Sequence, residues 1–166
     1  MAAATVTRPA PGALRVLGLL LLLLAGCEDT QTAPKTADVE ISGRRFTLEL
    51  ALTDDARFQG LSDRASIDPD GGMLFAFTTP AHRAFVMRRC LVPIDIIFLD
   101  GAGRVVSTHA MQVEPPDTPE RRLRQYRSGW PAQYAIELAG GTLRELEVKE
   151  GQKVDLPLDL LKRWAE

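Results

Sequence analysis

The chain of 166 residues is poor in the groups that mark a metal or cofactor enzyme. It has two cysteines, Cys27 and Cys90, and two histidines, His82 and His109, with no close-spaced pair of the kind a zinc site needs. There is no Gly-rich phosphate loop and no Gly-x-Ser-x-Gly elbow, so neither cofactor nor metal is expected. Basic excess is missing too: 20 Lys and Arg stand against 22 acids, which argues against nucleic-acid binding, since that needs a basic patch or stripe. Two cysteines cannot build a disulfide framework. The sequence also lacks internal repeats and has no apolar run of the roughly 20 residues that a bilayer-spanning helix requires.

Acidic residues are absent from Met1 to Gly26, a stretch that carries Arg8 and Arg15 followed by an apolar run from Val16 to Leu24. This is the tripartite form of a secretory signal. Its end, Leu24-Ala25-Gly26-Cys27, resembles the bacterial lipobox, in which the cysteine is acylated and becomes the first mature residue. The sequence therefore predicts a signal peptide over 1–26 and a lipid anchor on Cys27. The expected product is exported and held by that anchor on the bacterial cell membrane or outer membrane, with the domain in the periplasm or envelope. Cutting there removes Arg8 and Arg15 and leaves 18 basic against 22 acidic residues, a net charge of −4. Acylation would also leave Cys90 with no partner in the chain. With an ordinary signal instead, a Cys27–Cys90 bridge stays open.

Residues 27–37 are polar and read as a tether. The 38–155 segment then alternates in the manner of strands, and 156–166 fits a short amphipathic helix through Leu158, Leu161 and Trp164. Phe46, Leu48, Leu50 and Leu52 point one way while Arg45, Thr47 and Glu49 point the other; with Val39, Ile41 and the Ser42-Gly43 turn they make a hairpin. Thr53-Asp54-Asp55 is a helix start and Gly60 a helix end. Apolar strands follow at Met73–Phe77, Ala84–Met87 and Ile94–Leu99, the last apolar on both faces. Arg104–Thr108 returns from the Asp100–Gly103 turn. Residues 111–131 are irregular, Tyr134–Leu138 alternates again, and Leu146 with Val148 belongs to a further segment. About eight short strands and little helix predict a mostly β domain with minor α content. The expected form is a single small β-barrel or sandwich-like domain with one or two short helices.

In order along the chain, several blocks resemble domain-of-unknown-function family 192. Gly60-Leu61-Ser62-Asp63-Arg64 is similar to its Gly-Leu-Met-x-Arg, and Gly72-Met73-Leu74-Phe75 to its Gly-Met-Leu-Phe. The stretch from Phe85 to Asp100 tracks its Phe-Trp-Met-Lys-Asn-Thr-x-Ile-Pro-Leu-Asp-Ile-x-Phe-Ile-Asp. Tyr126-x-Ser128 and Tyr134 to Gly141 resemble the later block. The resemblance implies a compact, mostly β barrel, often exported, in a family with no established activity. The sequence departs from the pattern where Val86, Arg89 and Cys90 replace Trp, Asn and Thr, and where Ser62 replaces Met. If the usual Asn-Thr pair binds a ligand, that departure changes or removes the site.

Asp95 is the most polar intrusion into an apolar strand, where a charge is costly unless paired. Arg64, Arg88 and Arg89 are its candidate partners. The functional expectation is a pocket of Arg64, Met87, Arg88, Arg89 and Asp95 gripping a small anionic or polar ligand or an envelope protein. The competing expectation is an internal ion pair that fixes strand packing. Cys90 with either histidine is not a convincing nucleophile and base, and reads as a buried or idle thiol. Arg121, Arg122, Arg124 and Arg127 fit a solvated loop balanced by Glu114, Asp117 and Glu120, with anionic head groups as the alternative contact. Met73, Phe75 and Phe77 read as core. The functional expectation is a membrane-anchored, non-catalytic binding or accessory module. The alternatives are an envelope hydrolase using Asp95 or Glu137 as acid or base, and a purely structural envelope protein.

Overall fold

The computed structural model describes residues 32–166. The signal segment 1–26, Cys27 and the first part of the tether lie outside the described residues. The first hairpin pairs β1 (Thr36–Ile41) with β2 (Arg44–Ala51), Val39 opposite Phe46. Its two turn residues, Ser42 and Gly43, both take positive φ, 51° and 82°, the geometry of the tight turn that matches strand twist. Phe46 and Leu48 are fully buried on one face, while Glu49 and Ala51 look to the other.

Helix α1 (Asp54–Gln59) starts where the sequence places it: Thr53 Oγ1 accepts from the Ala56 N–H at 3.2 Å. Gly60 ends it. This helix is the crossover between β2 and β3 (Gly71–Ala81), which run parallel, and parallel neighbours need such a crossover. Then come β4 (Ala84–Phe85), β5 (Ile94–Leu99), β6 (Val105–Met111), β7 (Tyr126–Arg127) and β8 (Ala132–Ala139). Helices α2 (Thr142–Leu146) and α3 (Leu158–Trp164) complete the chain. Six strands form one mixed sheet in the order β1-β2-β3-β8-β5-β6, and β4 with β7 forms a small second one.

Each face of the large sheet has its own apolar cluster. Leu74, Ile97, Tyr134, Ile136 and Leu138 lie on one side, under α2, α3 and the chain around Val154 and Leu156. Phe75, Ile96, Phe98 and Ala135 lie on the other, under Leu61, Met87 and Tyr126. Every residue of β5 is buried, as an unbroken apolar run predicts for a strand covered on both faces.

The mostly β, sandwich-like expectation and its eight strands match the described residues, with differences of detail. The sheet does not close into a barrel. Its outer strands β1 and β6 do not pair; residues 151–155 run between them, with single bridges from Asp155 to Glu40 and from Lys153 to Arg104, and with the Val105 N–H donating to the Gln152 carbonyl at 2.9 Å. The Ala84–Met87 strand shortens to two residues because Met87 turns into the core. Among the described residues there are three short α-helices, not one or two, because Leu146 ends a helix that begins at Thr142.

Candidate functional site

The structure separates the residues that the sequence groups into a pocket. Asp95, 2 % exposed, faces the α2 side, where its Oδ2 accepts the Gly141 and Leu143 N–H groups at 2.9 and 2.7 Å. Its charge is met by the start of a helix and not by an arginine. Arg64 instead grips Glu49, its Nη2 donating to Oε2 at 2.8 Å alongside a second bond from Nη1. Arg89 pairs with Asp63, with Nε 3.1 Å from Oδ1. Asp63 and Arg89 both sit at positive φ, and the Asp63 N–H donates to the Arg89 carbonyl at 2.8 Å, so the loops after α1 and β4 are clasped together. Met87, 1 % exposed, is a core residue.

Of the five, Arg88 opens into a cleft. A cavity of about 560 Å³ lies between α1, β3 and the turn after β4. Its walls are aromatic: Phe58, Phe75, Phe77 and Phe85. Phe85 stands edge-on to Phe75, with ring centroids 5.0 Å apart. Arg88 lies 3.4 Å over the Phe58 ring and donates through Nη2 to the Phe58 carbonyl, while its Nε is buried with no partner. The Ser62 hydroxyl donates to the Arg88 carbonyl at 2.8 Å, and the Cys90 thiol also points to that carbonyl at 3.6 Å.

At the floor is Glu137. Strand register puts Glu49, Met73, Glu137, Ile96 and His109 in one row across the sheet, all on the face opposite Asp95. Glu137 is 5 % exposed, and no group among the described residues donates a hydrogen bond to its carboxyl. Burial pushes this carboxyl up to about 8, with Arg64 pulling weakly the other way. The thiol of Cys90 is pushed up to about 11, by burial first and then by the neighbouring Glu137. At neutral pH it is therefore held as the thiol, a poor nucleophile. His109 lies two strands from Glu137, its Nε2 2.7 Å from the Arg127 carbonyl. Among the described residues, no group of three or more His, Cys, Asp or Glu side chains is placed to hold a metal.

Glu137 meets the criterion that singled out Asp95, a charge inside the apolar run Tyr134-Ala-Ile-Glu-Leu-Ala139. The sequence names it only as an alternative acid or base, because the run does not reveal which of two covered faces a residue takes. Phe77 and Phe85 turn out to be cleft walls, half-buried and not sealed. In the long loop, Glu114 accepts the Arg124 backbone N–H at 2.8 Å and Glu120 lies 3.8 Å from Arg88, outside the loop; among the described residues no loop arginine forms an ion pair with Glu114, Asp117 or Glu120.

Together these features define a mostly β domain with an aromatic cleft floored by one unpaired carboxyl. The chain belongs to domain-of-unknown-function family 192, described as an uncharacterized ACR, whose profile matches residues 37–156. Two solved structures are similar to it. One is a Sinorhizobium meliloti 1021 protein provisionally named a transcription regulator, 27 % identical, with a TM-score of 0.65 over 75 % of this chain and 96 % of that one. The other is a protein of unknown function from Novosphingobium aromaticivorans DSM 12444, also 27 % identical with a TM-score of 0.65, over 93 % of this chain and 100 % of that one. No curated protein matches the chain.

Proposed function

We propose that the protein is an exported lipoprotein, acylated on Cys27, whose β domain is a non-catalytic module binding a small molecule in the Phe58–Phe85 cleft. The observation that carries the binding reading is Glu137: a carboxyl buried at the floor of a cavity with no donor among the described residues. Such a group is costly to keep in a fold. A cleft of about 560 Å³ with apolar walls and a few convergent polar groups has the size and character of a small-molecule site. Binding is favoured over hydrolysis because the cleft's thiol is held protonated and its hydroxyl, on Ser62, donates to the Arg88 carbonyl and not to a base. Carboxyl titration near neutrality is the one observation that favours acid–base chemistry. The regulator name of the S. meliloti protein is not carried over, because 18 basic against 22 acidic residues after Gly26 give no basic excess to favour nucleic acid.

Two measurements test this. Fragment titration followed by amide chemical shifts should move residues of α1 and the Ser62 and Cys90 loops, and Ala84→Trp, which fills the cleft mouth, should abolish those shifts. Shifts that survive the plug would remove the cleft from consideration. Mass spectrometry of the native protein should find a lipid-modified Cys27 at the mature N-terminus, and Cys27→Ser should move the protein out of the membrane fraction. An unmodified Cys27 in membrane-free material would end the lipoprotein reading.

A further inference from the structure

Resting on the cleft as a binding site, the charge arrangement allows the ligand class to be named. Four acids line the cavity, Asp54, Asp55, Glu120 and Glu137, against two arginines, Arg57 and Arg88. Both arginines are already engaged. Arg57 contacts Asp54 at 2.7 Å and donates to the Leu52 and Ala76 carbonyls, each at 2.7 Å. Arg88 is stacked on Phe58 and faces Glu120. Arg64, the cation that acts on Glu137 from behind, is held by both oxygens of Glu49. Asp55 and Glu137 are left without an ion-pair partner among the described residues, one at the mouth and one at the floor, with phenyl rings between.

We propose that the cleft takes a small organic cation, a basic nitrogen on a flat apolar body, with the nitrogen reaching the Glu137 carboxylate and the body lying between Phe58, Phe75 and Phe85. An ammonium delivered to the floor supplies the donors that Glu137 lacks and offsets the desolvation of its charge, as a buried pair requires. The aromatic walls suit a cation better than an anion, because ring faces are negative. Acids at the mouth attract the same sign. An anionic ligand would meet Glu137, Asp55 and Glu120 with no free cation at the floor.

The binding step carries a proton signature. The groups around Glu137 are Arg64 with Glu49 behind it, Cys90 from the loop after β4, Arg88 in the same cavity wall, and His109 two strands away along its row. Near pH 7 the unliganded Glu137 holds a proton, and pairing with an ammonium releases about one proton per ligand.

Calorimetry with three phenylalkyl probes of similar size and different charge tests this: phenethylamine, the neutral 3-phenylpropanol and the anionic 3-phenylpropionate. Phenethylamine should bind tightest and 3-phenylpropionate weakest, with proton release in the amine titration when buffers of different ionisation enthalpy are compared. Glu137→Gln, which keeps the shape, should weaken phenethylamine roughly thirtyfold or more and leave 3-phenylpropanol unchanged. If all three bind alike, or the amine is insensitive to Glu137→Gln, the cation assignment fails while the cleft stands as a site. If none binds at millimolar concentration, or if Ala84→Trp leaves binding intact, the cleft reading fails with it.

Discussion

Asp95 and Glu137 are acids on adjacent strands that face opposite sides of one sheet, and their partners give them opposite effects. Asp95 accepts two backbone N–H groups and holds α2 to β5. Asp95→Ala leaves both donors buried and should cost about 2–3 kcal/mol in urea unfolding, without altering the cleft. A loss of only a few tenths would mean that α2 does not depend on this cap. Glu137 has no such compensation. Its carboxyl titrates at about 8 in the folded protein against an ordinary 4.5, so between those values the fold holds a proton that the unfolded chain has released. The stability it contributes is complete below pH 4.5 and declines as pH rises through 8. Glu137→Gln, which cannot ionise, should match the wild type near pH 4.5. Above pH 8 it should be more stable by an amount on the order of 3–5 kcal/mol. Stability curves of the two proteins that run parallel from acid to alkali would contradict this. For Cys90, a thiol pushed up to about 11 should alkylate with iodoacetamide roughly a hundredfold slower than free cysteine at neutral pH. Cys27→Ser makes Cys90 the single thiol whether or not Cys27 is acylated, and a rate equal to free cysteine would show an exposed thiolate.

At the scale of elements, much of the fold is legible in the sequence. The β1–β2 hairpin follows from alternation and its turn pair, and α1 follows from Thr53, Asp54, Asp55 and Gly60. What alternation cannot supply is the orientation of a strand buried on both faces. Along β5 and β8 nearly every residue is apolar, so nothing local shows that Asp95 and Glu137 face apart. Asp95 finds its donors 46 and 48 residues further on, and the short helix they begin depends on that contact. The family-like blocks acquire physical reasons at this scale. Pro93 packs on Gly140, where an added Cβ would lie 2.6 Å from the Pro93 Cβ. At Gly72, with φ of 148°, an added Cβ would lie 2.2 Å from the Glu137 carbonyl oxygen, which is backbone and cannot yield. Gly72→Ala should therefore destabilise by about 3 kcal/mol or more, combining strain and clash. Gly43→Ala, with nothing within 4 Å, should cost only about 1 kcal/mol for its positive φ. Equal losses in thermal unfolding would mean that β3 and β8 are not packed this closely.

Over the whole molecule, the central sheet divides the labour. One face carries Asp95, α2, α3 and the cluster around Ile136, while the other carries Glu137 and the cleft. Cleft-mouth substitutions such as Ala84→Trp should change ligand binding while moving stability by less than about 0.5 kcal/mol, since Ala84 is already exposed. A large fall in melting temperature would show that the two faces are coupled.

The α1 crossover and the loop after β4 have a consequence for how such a protein can diversify. Apart from Glu137, Phe75 and Phe77, the cleft is built from connecting segments and strand ends, while Gly72, Pro93, Asp95 and Gly140 secure the strands from within the sheet or its other face. Replacements such as Ser62, Val86 and Cys90 can therefore accumulate around the cavity under selection for a new ligand, at little risk to folding. Descendants of one ancestral scaffold could in this way come to recognise different molecules while keeping the same strand order.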